Sequence, residues 1–130
     1  MRKPRIIVRK SDRELSVVTG SETLTFPVAI GANPDGADKR AVGDCRTPEG
    51  VFDVVSIEDS SDWEREGRRP YGPLFIRLRC PPWEGIGIHG TDEPETVGTC
   101  ASLGCVRMRN EDLLAVAELV TVGCEVEIVP

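Results

Sequence analysis

The sequence predicts a mainly β fold, a mixed β-sheet or β-sandwich with one α-helix in its C-terminal half. Three observations carry this. Short β-branched runs alternate with polar residues along much of the chain, as in Arg5-Ile6-Ile7-Val8-Arg9 and Cys124-Glu125-Val126-Glu127-Ile128-Val129. Thirteen glycines and ten prolines supply many turns and argue against a helical bundle. Asn110 to Val120 is the one segment whose apolar residues recur at convincing helical spacing.

The elements follow in order. Arg5–Arg9 and Glu14–Val18 read as strands joined by the turn Lys10-Ser11-Asp12-Arg13, and Thr19-Gly20-Ser21-Glu22 turns the chain into a third strand, Thr23 to Ile30. The opening is therefore a meander. Gly31 to Arg46 reads as loop, with turn signals at Gly31, Asn33-Pro34-Asp35-Gly36 and Gly43-Asp44. Val51–Ile57 returns to strand, Asp59–Pro73 is a long polar loop, and Leu74–Leu78 is a further strand. Gly85 to Gly90 is a short apolar run that delivers His89 to a strand end. Asn110 is the expected N-cap of the helix, with Glu111 and Asp112 at the positive end of its dipole, and Gly123 can end it. Cys124–Val129 closes the chain as a strand. No repeat, low-complexity segment or linker divides it, so residues 1–130 are expected to form one domain.

The net charge of −6 argues against a nucleic-acid partner, which normally demands a basic face. No run approaches the length of a bilayer span. The basic start Met1-Arg2-Lys3-Pro4-Arg5 is followed by only three apolar residues, too few for a secretory leader. The chain as given reads as cytoplasmic, as an excised mature domain, or as exported by another route. Cys45, Cys80, Cys100, Cys105 and Cys124 are an odd number. That suits one free reactive thiol with up to two bridges, and it equally suits five reduced thiols.

The chemistry concentrates at His89, the only histidine, and Cys105, sixteen residues later within Ser102-Leu103-Gly104-Cys105-Val106-Arg107-Met108. A free thiol of pKa ~8.5 is only ~3% thiolate at pH 7, so a neighbouring base alters its reactivity more than tenfold. Histidine is the side chain whose ordinary pKa suits that task. Both residues adjoin glycine, which permits tight turns and close approach of a substrate backbone. The pair reads as a cysteine acyl-transfer site. The backbone N–H groups of Gly104 and Cys105 are candidate oxyanion donors. Arg107, two residues beyond the cysteine, falls on the same face if the segment is extended, where it can bind a carboxylate or support a thiolate. Ser102 is a candidate substrate contact or a simple turn hydrogen bond. Trp83 can wall a cleft or pack in a corner, and Arg65, Arg68 and Arg69 form a basic patch that reads as a solvated face or a docking site for an anionic glycan-peptide.

Phe26-Pro27-Val28-Ala29-Ile30-Gly31, Thr47-Pro48-Glu49-Gly50-Val51-Phe52, Ile88-His89-Gly90-Thr91, Ser102 to Met108, Asp112-Leu113 and Gly123 to Ile128 occur in this order. The series resembles the YkuD-type L,D-transpeptidase catalytic domain of bacterial cell-wall enzymes, over roughly Ile6 to Val129. The resemblance implies an L,D-transpeptidase-like fold and a cysteine that attacks the third residue of a peptidoglycan stem peptide. It implies release of the terminal D-amino acid and resolution of the acyl-enzyme by an amine, or by water in a carboxypeptidase reaction. Carried onto this chain, Cys105 is the nucleophile, His89 the base, and Gly90 a possible supplier of the carbonyl that orients the imidazole. Tyr71 and Gly72 resemble a segment beside the substrate groove. No metal or organic cofactor is needed, peptidoglycan stem peptides are the partners, and the periplasm or cell wall is the expected site of action. The family frequently has histidine where this chain has Leu103, and Asp92, Glu93 and Glu95 bring negative charge toward the site.

Rival readings remain. His89, Cys100 and Cys105 offer three metal ligands, one short of a structural zinc set. Cys100 and Cys105 can act as a redox pair, although not at Cys-x-x-Cys spacing. The same fold can also serve as a non-catalytic cell-wall-binding or interaction module.

Overall fold

The computed structural model describes residues 3–33 and 35–130. Met1 and Arg2 of the basic start, and Pro34 of the predicted turn, lie outside the described residues. Among the described residues the strands are β1 (Arg5–Arg9), β2 (Glu14–Val18), β3 (Thr23–Pro27), β4 (Ile30–Gly31), β5 (Gly50–Asp59), β6 (Leu74–Arg79), β7 (Gly87–His89), β8 (Cys100–Ser102), β9 (Val106–Arg107) and β10 (Glu125–Val129), with one α-helix, α1 (Asn110–Leu119), and a single 3-10 turn at Pro94–Thr96. Eight strands form a mixed sheet in the order β3-β2-β1-β10-β5-β6-β7-β9, and β4 pairs with β8 in a small second sheet. The β1–β10 and β7–β9 pairs are parallel. The opening meander is present as β1, β2 and β3.

The predicted third strand, Thr23 to Ile30, is in fact broken after Pro27. The Val28 amide bonds the Arg13 carbonyl at 2.9 Å, and Ala29 exchanges two backbone hydrogen bonds with Arg107 at 2.7 and 2.9 Å. The chain thus leaves one end of the large sheet and reaches β9 at the other, drawing the two ends together. β8 and β9 had no clear sequence signal because each is too short to alternate.

Alternation decides which way each strand faces. Ile6 and Val8 of β1, Val126 and Ile128 of β10, Ile76 and Leu78 of β6, Ile88 of β7 and Val106 of β9 all point into one core, together with Leu113 and Val116 of α1. The helix packs against β6 and β7. The opposite face of β6, β7 and β9 is left for the residues that alternate with these.

Asn110 is not the N-cap. It is the first helical residue, Arg109 occupies the cap position without a side-chain bond, and Asn110 Oδ1 accepts the Thr91 amide at 2.8 Å. The carboxamide that would have closed the helix instead ties it to the loop after His89. Among the described residues no helix is long and apolar enough to cross a membrane.

Candidate active site

The register of three strands assembles the site. Phe75 pairs with His89 and Arg77 with Gly87 across β6 and β7; Ile88 pairs with Val106 and His89 with Arg107 across β7 and β9. Since Ile76, Ile88 and Val106 are in the core, Phe75, Arg77, His89 and Arg107 share the other face. Cys105 immediately precedes β9 and falls on the face of Arg107. Its side chain and that of His89 line the same cleft.

His89 is buried, only 4% exposed. Its ring stacks on Phe75 with 5.6 Å between centroids and 8° between planes, and it receives the edge of Tyr71 at 5.2 Å. Trp63 completes this aromatic group against Tyr71 and Phe75. Nδ1 lies 2.5 Å from the Gly90 carbonyl oxygen. A carbonyl can only accept, so Nδ1 carries the hydrogen and Nε2 is left with its lone pair. Burial pushes the imidazole pKa down to about 4; the Gly90 carbonyl raises it in part, and the positive charge of Arg107 lowers it further. The ring is therefore neutral near pH 7.

Cys105 is half-buried, and its thiol donates to the Gly85 carbonyl at 3.3 Å. Burial pushes its pKa up, against the Gly87 amide and the cations Arg77, Arg107 and Lys39, which favour the thiolate. Among the described residues there is no direct hydrogen bond between the sulfur and the imidazole: each holds its own carbonyl. Both line one cleft of about 700 Å³. The resting site is thus a neutral thiol and a neutral imidazole facing one opening, rather than a preformed ion pair.

Ser102 is buried, and its hydroxyl donates to the Cys105 carbonyl at 2.5 Å while accepting the Gly104 amide at 3.1 Å. Gly104 sits at φ +140°, a conformation that residues with a Cβ rarely adopt. Its N–H is spent inside the turn on Ser102, so of the two expected oxyanion donors the Cys105 N–H is the one left without a protein partner among the described residues. Arg107 Nη1 donates to Thr96 Oγ1 at 3.0 Å, and its buried Nε has no partner.

Tyr71 lines the cleft, and its carbonyl accepts the Gly90 amide at 3.0 Å. Gly72, expected beside it in the groove, does not line the cleft. It sits at φ +65°, where a Cβ would strike Asn110 Oδ1 and Gly90, so its role is to let the loop close against the His89-Gly90 turn. Leu103 is 60% exposed at the cleft rim. The acidic residues after His89 do not confront the thiol unopposed: Arg68 holds Asp92 at 2.8 Å and Glu93 at 2.9 Å. The expected basic patch is thereby partly consumed, since Arg69 also approaches Glu64 at 3.7 Å. Trp83 is half-buried on the cleft wall. His89, Cys100 and Cys105 do not gather as metal ligands, and no such group of three occurs among the described residues. All five cysteines are unpaired thiols in this structure.

Sequence reasoning did not single out Phe75 or Lys39, and it gave Asn110 a capping role rather than a place at the site. Phe75 looks like any core residue until the register puts it under the imidazole. Asn110 looked like a cap, and Lys39 lay in a loop poor in apolar residues.

The model of the YkuD L,D-transpeptidase catalytic domain family matches residues 3–128. A Bacillus licheniformis protein that carries the name of an L,D-transpeptidase, YkuD, is 30% identical over 97% of this chain and 66% of its own length. Bacillus subtilis YqjB, also named as an L,D-transpeptidase, is 31% identical over 95% of this chain and 69% of its own. Among solved structures, an L,D-transpeptidase from Mycobacterium smegmatis superposes with a TM-score of 0.75 at 18% identity, over 98% of this chain and 59% of that one. The chain thus spans about two thirds or less of these relatives, and the mycobacterial likeness is one of fold.

Proposed function

Since this chain belongs to the YkuD family of L,D-transpeptidase catalytic domains, we propose that residues 1–130 act as one catalytic domain that transfers a peptidoglycan stem peptide through a Cys105 thioester. The observation that carries the reading is the fixed tautomer of His89: Nδ1–H is held by the Gly90 carbonyl, which leaves Nε2 its lone pair on a ring that lines the same cleft as Cys105.

In the first half-reaction the stem peptide enters the cleft past Tyr71 and displaces the thiol from the Gly85 carbonyl. Nε2 takes the S–H proton as sulfur attacks the carbonyl carbon of the third residue. The tetrahedral oxyanion accepts the Cys105 N–H; one such donor contributes about 3 kcal/mol. The C–N bond to the terminal D-amino acid breaks, and the imidazolium returns its proton to the departing amine. In the second half-reaction Nε2 removes a proton from an incoming amine, the amine attacks the thioester, and the thiol is regenerated with that proton. Water in place of the amine gives L,D-carboxypeptidation.

Arg107 supplies positive charge beside both reacting groups, at the cost of making His89 harder to protonate. Ser102 lines the cleft and holds the Gly104–Cys105 turn in shape. No metal or organic cofactor takes part in this scheme. The family points to the periplasm or cell wall as the place of action, with stem peptides as the partners.

The test is direct. Incubating the protein with a stem tetrapeptide and an amine acceptor should release the terminal D-amino acid and yield a cross-linked product by mass spectrometry, and Cys105→Ala should yield neither. A wild-type protein that binds peptidoglycan but releases nothing favours the non-catalytic wall-binding module instead.

A further inference from the structure

We propose that Lys39 selects donors that end in a free carboxylate, by binding the α-carboxylate of the residue that leaves. This rests on the acyl-transfer reading above and names the donor chemistry that the site prefers.

The loop between β4 and β5 has few apolar residues to bury, yet it hides an ammonium group. The Lys39 side chain is only 6% exposed, and its Nζ donates to Asp44 Oδ1 at 2.8 Å. Burying a charged lysine is costly unless partners compensate, so a loop that does it has been built around it. The construction is visible. Asp44 accepts the backbone amides of Arg40, Ala41 and Arg46 at 2.7, 3.1 and 3.1 Å, and Arg46 Nη1 at 3.3 Å. Arg46 reaches on to Asp35 at 2.6 and 3.0 Å. One carboxylate thus serves five donors, counting Lys39, and its charge is shared among them.

What remains of Lys39 faces the cleft. An ammonium has three N–H donors, and Asp44 takes one. The face of Trp83 lies 5.3 Å from Nζ, which favours the cation without offering a lone pair. The remaining N–H groups have no protein acceptor among the described residues, and Lys39 lines the same cleft as Cys105.

Position decides the ligand. A Cβ built on Gly104 would lie 3.8 Å from Lys39 Nζ, so the ammonium stands beside the residue preceding the nucleophile. In an extended peptide consecutive Cα atoms are 3.8 Å apart, so a carboxylate one residue beyond the attacked carbonyl lies within such a reach. The other cleft cations are less suited, and Arg65 among them is solvent-exposed, its side chain held by no protein partner among the described residues. Arg68 is occupied by Asp92 and Glu93, and Arg107 turns Nη1 to Thr96 with its Nε sealed from solvent. A charge-assisted bond from Lys39 to a terminal carboxylate distinguishes a tetrapeptide acid from a neutral analogue of the same shape.

The experiment compares a stem tetrapeptide bearing a free C-terminal carboxylate with the same peptide as its C-terminal carboxamide. Acylation kcat/KM is measured on the wild-type chain, Lys39→Met and Lys39→Arg. The expected result is a wild-type acid-to-amide preference of tenfold or more that falls to near one in K39M, mainly through KM, and is largely kept in K39R. A K39M protein that retains the wild-type ratio, or loses both donors equally, overturns the assignment and leaves Lys39 as a prop for its loop. A wild type that acylates with both donors equally also overturns it. A wild type that acylates with neither overturns the acyl-transfer reading itself, and the Lys39 assignment with it.

Discussion

The Nδ1 of His89 and the carbonyl oxygen of Gly90, adjacent in sequence, are 2.5 Å apart and hydrogen-bonded, so the imidazole is oriented by the backbone of its own turn. The usual helper of a catalytic histidine is a carboxylate, whose charge favours the protonated ring. Here a neutral carbonyl does the orienting while burial and Arg107 oppose protonation.

The first prediction is a low titration midpoint. His89 is the only histidine, so its ring nitrogens can be followed by NMR without ambiguity. The midpoint is expected near 4 rather than near 6.5, with the hydrogen on Nδ1 at neutral pH. Because the folded value lies below the unfolded one, the unfolded state binds the proton first. The stability that His89 contributes is complete above about pH 6.5 and is lost as pH falls toward 4. The shift corresponds to about 3 kcal/mol, readable as a difference in acid sensitivity between wild type and His89→Gln in urea titrations.

The second concerns Ser102. Replacing it with Ala removes the donor to the Cys105 carbonyl and the acceptor of the Gly104 amide together. Unmet buried backbone groups cost about 1–3 kcal/mol, so S102A should lower stability by that amount in chemical denaturation. The turn that carries Cys105 loosens, and on the proposed mechanism acylation should slow by about tenfold or more.

The third separates stability from electrostatics. Arg68 is half exposed in its pairs with Asp92 and Glu93, so Arg68→Gln should change stability by less than about 1 kcal/mol. It leaves uncompensated negative charge at the cleft, which opposes thiolate formation. Acylation should therefore slow at low ionic strength, and the difference from wild type should shrink as salt is added.

The fourth tests the tie between helix and site. Asn110→Ala removes the acceptor of the Thr91 amide and should cost about 1–2 kcal/mol. The same carboxamide oxygen is what a Cβ on Gly90 or Gly72 would strike. Gly90→Ala should accordingly be less damaging in the N110A background than alone, a coupling that a double-mutant cycle measures directly.

Much of this was legible in the sequence because strand alternation is local. Ile6, Val8, Val126 and Ile128 announce their inward faces without reference to any partner, and the α1 apolar stripe does the same. The class of fold followed, and His89 and Cys105 stood out by residue type. What was not legible depends on pairing. The parallel contacts of β1 with β10 and β7 with β9 join distant segments, and β9 is two residues long. Without that register nothing shows that Phe75 lies under His89, or that Gly104 spends its amide on Ser102. Asn110 misled because the same carboxamide oxygen can cap its own helix or bind a loop amide, and only the fold chooses.

The central claim is that the neutral imidazole of His89 drives acylation at Cys105, and locating the acyl group tests it most directly. Wild type and His89→Gln are mixed with excess stem tetrapeptide, quenched at intervals, digested, and every cysteine-containing peptide is quantified by mass spectrometry. The account predicts that the acyl group accumulates on Cys105 alone among the five thiols, at a rate reduced by about 10²-fold or more in His89→Gln. Acylation spread over Cys45 or Cys100, or a Cys105 rate that His89→Gln leaves unchanged, would contradict it.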